Sequence, residues 1–216
     1  MMTSFHARLA CIALTAIVLT SCGDRVESKE KTMKTTDQIE QDAPAKSDAG
    51  KPAVATSEIA ILAGGCFWGM EELIRKEPGI LNIEVGYTGG WLEHPKYEDT
   101  HDSKSGHAEA VRIEFDPKKL SYGALLEFFF RIHDPTTKNR QGNDVGTQYR
   151  SAIFYTTEAQ KQEALKAIER AQKSGRWNRP ITTEVTAVTQ WWPAEDYHQD
   201  YLQKHPGGYT CHYIRD

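Results

Sequence analysis

Glu58-Ile59-Ala60-Ile61-Leu62-Ala63-Gly64-Gly65-Cys66-Phe67-Trp68-Gly69-Met70 is the stretch whose reading decides the fold. A short apolar run ends in two glycines, which is the pattern of a buried strand closing at a turn. From Phe67 to Lys76 the apolar positions Met70, Leu73 and Ile74 fall on one helical face, and Pro78-Gly79 stops the helix. A strand, a tight glycine turn and a helix therefore follow one another, with Cys66 at the junction.

Working outward, Ile80 to Tyr87 reads as a strand running into the turn Thr88-Gly89-Gly90. Glu109 to Phe115 alternates as a half-buried strand closed by Asp116-Pro117. Ser121 caps a helix through Leu125, Leu126, Phe129 and Ile132. Arg150 to Tyr155 is a further strand. Thr157 caps a long helix with Ala164, Leu165, Ile168 and Ala171 inward, and Gly175 ends it. Thr183 to Trp191 is the last expected strand. Strands interleaved with helices predict an α/β or α+β layered domain over residues 58–216.

The segment ahead of this domain reads differently. Residues 1–22 carry Arg8, then an uncharged run from Leu9 to Ser21 that falls short of the ~20 apolar residues of a spanning helix. That fits a secretory signal. Leu19-Thr20-Ser21-Cys22 resembles the lipobox of bacterial lipoproteins, which makes Cys22 the expected lipid attachment site and Cys11 a discarded residue. Between 23 and 57, 13 of 35 residues are charged and none is aromatic, too little apolar surface to offset ordering entropy. A flexible charged linker is expected there, tethering an exported domain to a membrane facing the periplasm or cell exterior.

The chain has 216 residues, a formal charge of −4 and 39% hydrophobic residues. This composition supports a core and excludes a wholly disordered chain. The mild acidity argues against nucleic acid as a partner. Four cysteines in this length do not make a disulfide scaffold. No Cys-x-x-Cys or His-Glu-x-x-His occurs, so no metal is expected; His107-x-Glu109 lacks the cysteine pair that would complete a zinc site. Phosphate loops and dinucleotide fingerprints are also missing.

Cys66 precedes a helix N-terminus, whose free N–H groups favour an anion, so its pKa is expected to be lowered and its thiolate nucleophilic. A buried structural cysteine fits the same position. Cys211, in Gly207-Gly208-Tyr209-Thr210-Cys211, reads either as a disulfide partner or as a resolving thiol. Glu109 reads either as a buried general acid of raised pKa or as an exposed strand-end carboxylate. Arg140 to Arg150 is a polar, glycine-bearing loop of the sort that carries function. Trp191, Trp192 and Tyr197 read as core or rim aromatics.

Taken together, the blocks Gly65-Cys66-Phe67-Trp68-Gly69, Gly86-Tyr87-Thr88-Gly89-Gly90, Pro95-x-Tyr97, Gly106-His107-Ala108-Glu109-Ala110-Val111, His133-Asp134-Pro135, Gln141 to Asp144 with Arg150-Ser151, and Ala194 to Gln199 resemble the A-type peptide methionine sulfoxide reductases. The resemblance runs in order through nearly all of residues 58–216. It implies a two-layer α/β sandwich with a ferredoxin-like core and a mixed sheet. It implies reduction of the S epimer of methionine sulfoxide, free or in oxidised proteins. In that chemistry Cys66 attacks the sulfoxide sulfur and Glu109 protonates the oxygen. Tyr97 and Tyr149 bond the oxygen, Asp144 supports the site, and Phe67 and Trp68 hold the methyl group. The resulting sulfenic acid condenses with Cys211, and an external thioredoxin-like reductant recycles the disulfide, with no bound cofactor. A monomer is expected. Two rival readings remain: a cysteine acyl hydrolase using Cys66 with His107 or His198, and a non-enzymatic, lipid-anchored binding module stapled by Cys66 and Cys211.

Overall fold

A computed structural model describes residues 57–216. The expected signal segment 1–22 with Cys22, and all but the last residue of the linker 23–57, lie outside the described residues.

In chain order the elements are β1 (Glu58–Gly64), α1 (Phe67–Ile74), β2 (Ile80–Thr88), α2 (Tyr97–His101), β3 (Ala108–Phe115), α3 (Tyr122–Ile132), β4 (Arg140–Gln141), β5 (Asp144–Val145), β6 (Ser151–Tyr155), α4 (Glu158–Lys173), β7 (Glu184–Ala187), β8 (Trp192–Pro193) and α5 (Tyr201–Lys204). A 3₁₀ turn at Thr147–Tyr149 links β5 to β6. The main sheet has the order β7-β6-β1-β3-β2-β8. β1 runs antiparallel to both β3 and β6, and β2 antiparallel to β3, whereas β6 and β7 are parallel. The sheet is mixed. Its centre, β1-α1-β2-β3-α3-β6, is the split βαβ pattern of the ferredoxin-like core.

Alternation sets which residues go where. On β3, Val111, Ile113 and Phe115 join Leu62, Met70, Leu125, Leu126 and Phe129 in the core beneath the helices. Their neighbours Ala108 and Ala110 face the other side with Ile61, Ala63, Ala152 and Phe154. Period-2 geometry therefore sends Glu109, between those two alanines, to the helix face at the end nearest α1. The second face is lined largely by alanine. Its small side chains leave room for Val188 and Trp191, which pack against it on the way from one sheet edge to the other.

The caps form as the sequence predicts. Ala124 N–H donates to Ser121 Oγ (3.2 Å), and Gln160 N–H donates to Thr157 Oγ1 (3.2 Å). Five details differ from expectation. Leu165 is 47% exposed, because one residue along a helix from Ala164 turns about 100° away from the core stripe. The last strand is only Glu184–Ala187, since its sole neighbour β6 offers partners only to Tyr155. Trp192–Pro193 instead pairs with β2 at the opposite edge, where proline is tolerated. Arg140 to Arg150 is a miniature β4–β5 hairpin followed by the 3₁₀ turn, and α2 is a short helix that no apolar period announces.

Candidate active site

The Cys66 backbone makes the bend that the glycine pair promises. Gly65 has φ +107°, and a Cβ there would lie 2.5 Å from Gln141 Cγ. Only glycine fits this approach. The bend delivers the Cys66 side chain, 7% exposed, to the head of α1.

Around it lies a hollow of about 170 Å³ lined by Cys66, Phe67, Trp68, Tyr97, Glu109, Asp144, Tyr149 and Tyr209. Six separate parts of the chain supply these groups: the head of α1, α2, β3, β5, the 3₁₀ turn and the C-terminal tail. Every residue expected to carry the chemistry, apart from Cys211, reaches the hollow. A larger depression of about 630 Å³ beside Ser121 and Gln160 has neither a cysteine nor a histidine on its walls.

Glu109 is buried, 2% exposed, and its Oε2 accepts the Phe67 N–H at 3.1 Å. Burial pushes its carboxyl up to about 8, opposed by that N–H and reinforced by the Asp144 charge. It is mostly neutral at pH 7 and so a proton donor. The phenols of Tyr97 and Tyr149 are held above their ordinary values by burial first and by the Glu109 carboxylate second, and both stay protonated.

The Cys66 thiol corrects the sequence reading. Its pKa is raised well above the ordinary thiol value, not lowered: burial dominates, and a charge on Glu109 adds to it. The Trp68 N–H opposes these effects and does not overcome them. Burial is the main reason, and in addition the first free N–H of α1, on Phe67, is taken by Glu109 rather than left for the thiol. The helix terminus serves the acid more than the thiol.

Cys66 and Cys211 are both free thiols. The two are close enough for the Cys66 backbone N–H to favour the Cys211 thiolate and for each thiol to feel the other's charge. Burial and Asp144 push the Cys211 thiol up to about 12.

Tyr209, Tyr201 and Glu195 carry no role in the sequence analysis, and His198 only that of a rival base. Tyr209 OH donates to Asp144 Oδ1 at 2.9 Å, tying the C-terminal tail to β5. Trp68 stacks on Tyr201 at 3.8 Å between ring centres, and its Nε1–H donates to His198 Nδ1 at 3.1 Å. Glu195 Oε1 accepts the Tyr97 N–H and Oε2 the Tyr87 OH, each at 3.0 Å. Among these, Glu195 and His198 sit in the Ala194–Gln199 block; the signal for them was that block alone.

The rival histidine bases do not serve Cys66. His107 Nδ1 accepts the Gly90 N–H at 3.0 Å and Nε2 lies 2.8 Å from Leu92 O, so both ring nitrogens are occupied. His198 Nδ1 accepts the Trp68 Nε1–H, and His198 is not among the residues that line the hollow. Among the described residues no cluster suited to a metal ion occurs.

The family model for peptide methionine sulfoxide reductase matches residues 58–216. The peptide methionine sulfoxide reductase MsrA of Mycobacterium sp. (strain MCS) is 58% identical over 156 residues, 72% of this chain and 89% of the relative. Mxr1 of Saccharomyces cerevisiae in its reduced form superposes with a TM-score of 0.71 at 37% identity, covering 78% of this chain and 98% of that one. The same yeast protein, solved in complex with Trx2, gives a TM-score of 0.52 at 29% identity over 78% of this chain and 97% of that one. With a match that runs from β1 to the final residue and relatives this similar, the chain belongs to the peptide methionine sulfoxide reductase family.

Proposed function

We propose that this chain reduces the S epimer of methionine sulfoxide, free or in peptides and proteins, through Cys66, with Cys211 as the resolving thiol. The observation that carries the reading is a neutral carboxyl group, two protonated phenols and a thiol around one hollow large enough for a sulfoxide.

The chemistry follows from those groups. The sulfoxide oxygen sits among Glu109, Tyr97 and Tyr149, all of them O–H donors, and the methyl group lies against Phe67 and Trp68. Attack by Cys66 sulfur loads negative charge onto that oxygen, where positioned donors lower the barrier. Glu109 gives the oxygen its proton and receives the one Cys66 releases. No net proton is consumed, methionine departs, and Cys66 holds a sulfenic acid. While Glu109 is neutral, the charge that helps keep the thiol protonated is absent. Asp144, held by Tyr209, anchors the wall beside both sulfurs. Cys211 then displaces the sulfenic hydroxyl, and a thioredoxin-like donor reduces the disulfide by exchange; the yeast relative solved with Trx2 supports that donor class. No bound metal or organic cofactor takes part.

Intact-mass measurement tests the roles. The Cys211→Ser variant given one equivalent of peptide sulfoxide gains one oxygen atom in mass, and wild type loses two hydrogens. A Cys211→Ser variant that turns over normally with thioredoxin would remove Cys211 from the cycle.

Leu19-Thr20-Ser21-Cys22 supports an exported lipoprotein facing the periplasm or cell exterior, with Cys22 as its anchor and residues 23–57 as the tether. Expressed in full in a bacterium, it partitions with membranes and Cys22→Ala does not; equal partitioning would contradict the anchor.

A further inference from the structure

His212 follows the resolving cysteine and has no part in the scheme above. It is 6% exposed. Its Nε2 lies 2.8 Å from Gly64 O. A carbonyl only accepts, so Nε2 carries the hydrogen and Nδ1 is left with a lone pair. That Nδ1 faces Cys211 Sγ at 3.5 Å, within range for a thiol donor. The ring is held from several sides. The His212 N–H donates to Thr210 Oγ1 at 3.1 Å. A Cβ at Gly69 would lie 2.5 Å from Nδ1, and one at Gly65 would lie 3.3 Å from Cε1. The glycines flanking Cys66-Phe67-Trp68 thus make the berth for this imidazole.

We propose that His212 is the general base that takes the Cys211 proton as Cys211 attacks the Cys66 sulfenic acid, a role that deepens the reductase reading and rests on it. The Cys211–Cys66 S–S bond forms and the Cys66 S–O bond breaks. The Cys211 proton goes to His212 Nδ1. The departing hydroxide takes a proton from Glu109 and leaves as water. Proton return from His212 to Glu109 through solvent restores both groups. The sulfenic sulfur is reduced and the Cys211 sulfur oxidised, so both become disulfide sulfur and no outside electrons enter.

The need for a base is built into the site. Burial and the neighbouring Asp144 carboxylate keep Cys211 a thiol at neutral pH. Burial and the Arg215 charge keep His212 neutral, down to about 4, with its lone pair free over the working pH range. The titratable and charged groups facing this pair are Cys66 from the β1–α1 turn, Asp144 from β5, His133 at the end of α3, and Tyr209 and Arg215 from the tail. Of these, Asp144 Oδ1 accepts the Tyr209 OH while the Asp144 side chain also lies within hydrogen-bond reach of the Cys211 thiol, and His133 Nδ1 and Nε2 lie against Phe129 O and Ser151 Oγ.

The test uses the reduced enzyme mixed with excess S-sulfoxide peptide, without reductant, and quenched with a thiol-blocking reagent. Methionine release reports the first step; loss of free Cys211 reports the second. His212→Gln offers an amide N–H to Gly64 O and nothing basic at the Nδ1 position. We expect methionine release to hold within about twofold, and disulfide formation to slow by about 10²-fold or more, the typical worth of a positioned base. Disulfide formation in the variant then climbs about tenfold per pH unit from pH ~5 to ~7, where Glu109 is still neutral, following preformed thiolate, whereas in wild type it stays flat over that range. Disulfide formation at the wild-type rate in His212→Gln overturns the proposal. So does a slowed rate that keeps the flat pH profile, or loss of both steps in His212→Gln and His212→Asn alike, each of which marks a packing residue. Failure of wild type to release methionine is a separate outcome and defeats the reductase reading itself.

Discussion

The chemistry turns on the ownership of one backbone N–H. The sequence places Cys66 at the head of α1, and from that alone a stabilised thiolate follows. The Phe67 N–H instead goes to Glu109, 42 residues away on β3, a pairing no local pattern announces. Glu109 itself was legible as a candidate: strand alternation puts it on the helix face, and an acid there becomes buried. Its degree of burial was not, since it depends on Phe67, Tyr97 and Tyr149 closing around it. Glu109→Gln removes the proton source and lowers single-turnover methionine formation at pH 7 by roughly 10² to 10⁴-fold. Near-wild-type rates in a rapid-quench experiment would take the acid role from Glu109. The same variant also reacts faster with iodoacetamide at Cys66 above pH 8, because it lacks the carboxylate charge that raises the thiol; unchanged alkylation would contradict that electrostatic coupling.

At the scale of elements, β1, α1, β2, β3, α3 and α4 were readable because each carries a strong period and a recognisable cap or stop. The parts that complete the site carry none of these signals. α2 is five residues long; Asp99 Oδ2 accepts the Lys96 N–H locally, and Glu195, from a distant loop, accepts the Tyr97 N–H. The tail reaches the hollow through Tyr209 and Asp144. Such contacts are tertiary and leave little trace in local sequence. The Gly64-Gly65 turn, by contrast, is local and predictable. Gly65→Ala forces a Cβ against Gln141 at a backbone angle that L residues avoid, so it should cost activity far more than it costs helix content. Retained activity in a folded Gly65→Ala variant would show that the bend is not needed to place Cys66. The cap at Thr157 lies remote from the hollow. Thr157→Ala lowers unfolding free energy by about 1 kcal/mol with turnover unchanged, as measured by urea denaturation beside the activity assay.

For the whole molecule, buried titratable groups shape stability against pH. His133 and His212 are held down to about 3 and about 4 by burial, from an ordinary 6.5. The unfolded chain therefore binds more protons than the native one below 6.5, and stability falls as pH drops through that window. Glu109 works the other way: it is raised from 4.5 to about 8, so between those values the unfolded chain has lost a proton the native one keeps, and stability falls as pH rises. Below 6.5 the two histidines, joined by His198, which burial also lowers, outweigh Glu109, and above it Glu109 dominates. Thermal stability of residues 57–216 should peak near pH 6.5, and Glu109→Gln should flatten the alkaline limb up to about pH 8. An unchanged alkaline limb in that variant would mean Glu109 is ionised in the folded protein. All of this serves one claim, that a buried thiol beside a neutral acid reduces one epimer of an oxidised thioether. The most direct measurement supplies dithiothreitol and a peptide carrying either epimer of methionine sulfoxide, and counts methionine formed by wild type and by Cys66→Ser. Turnover of the S epimer alone, absent in Cys66→Ser, is the predicted result. Equal turnover of both epimers, or activity that survives Cys66→Ser, would contradict the account.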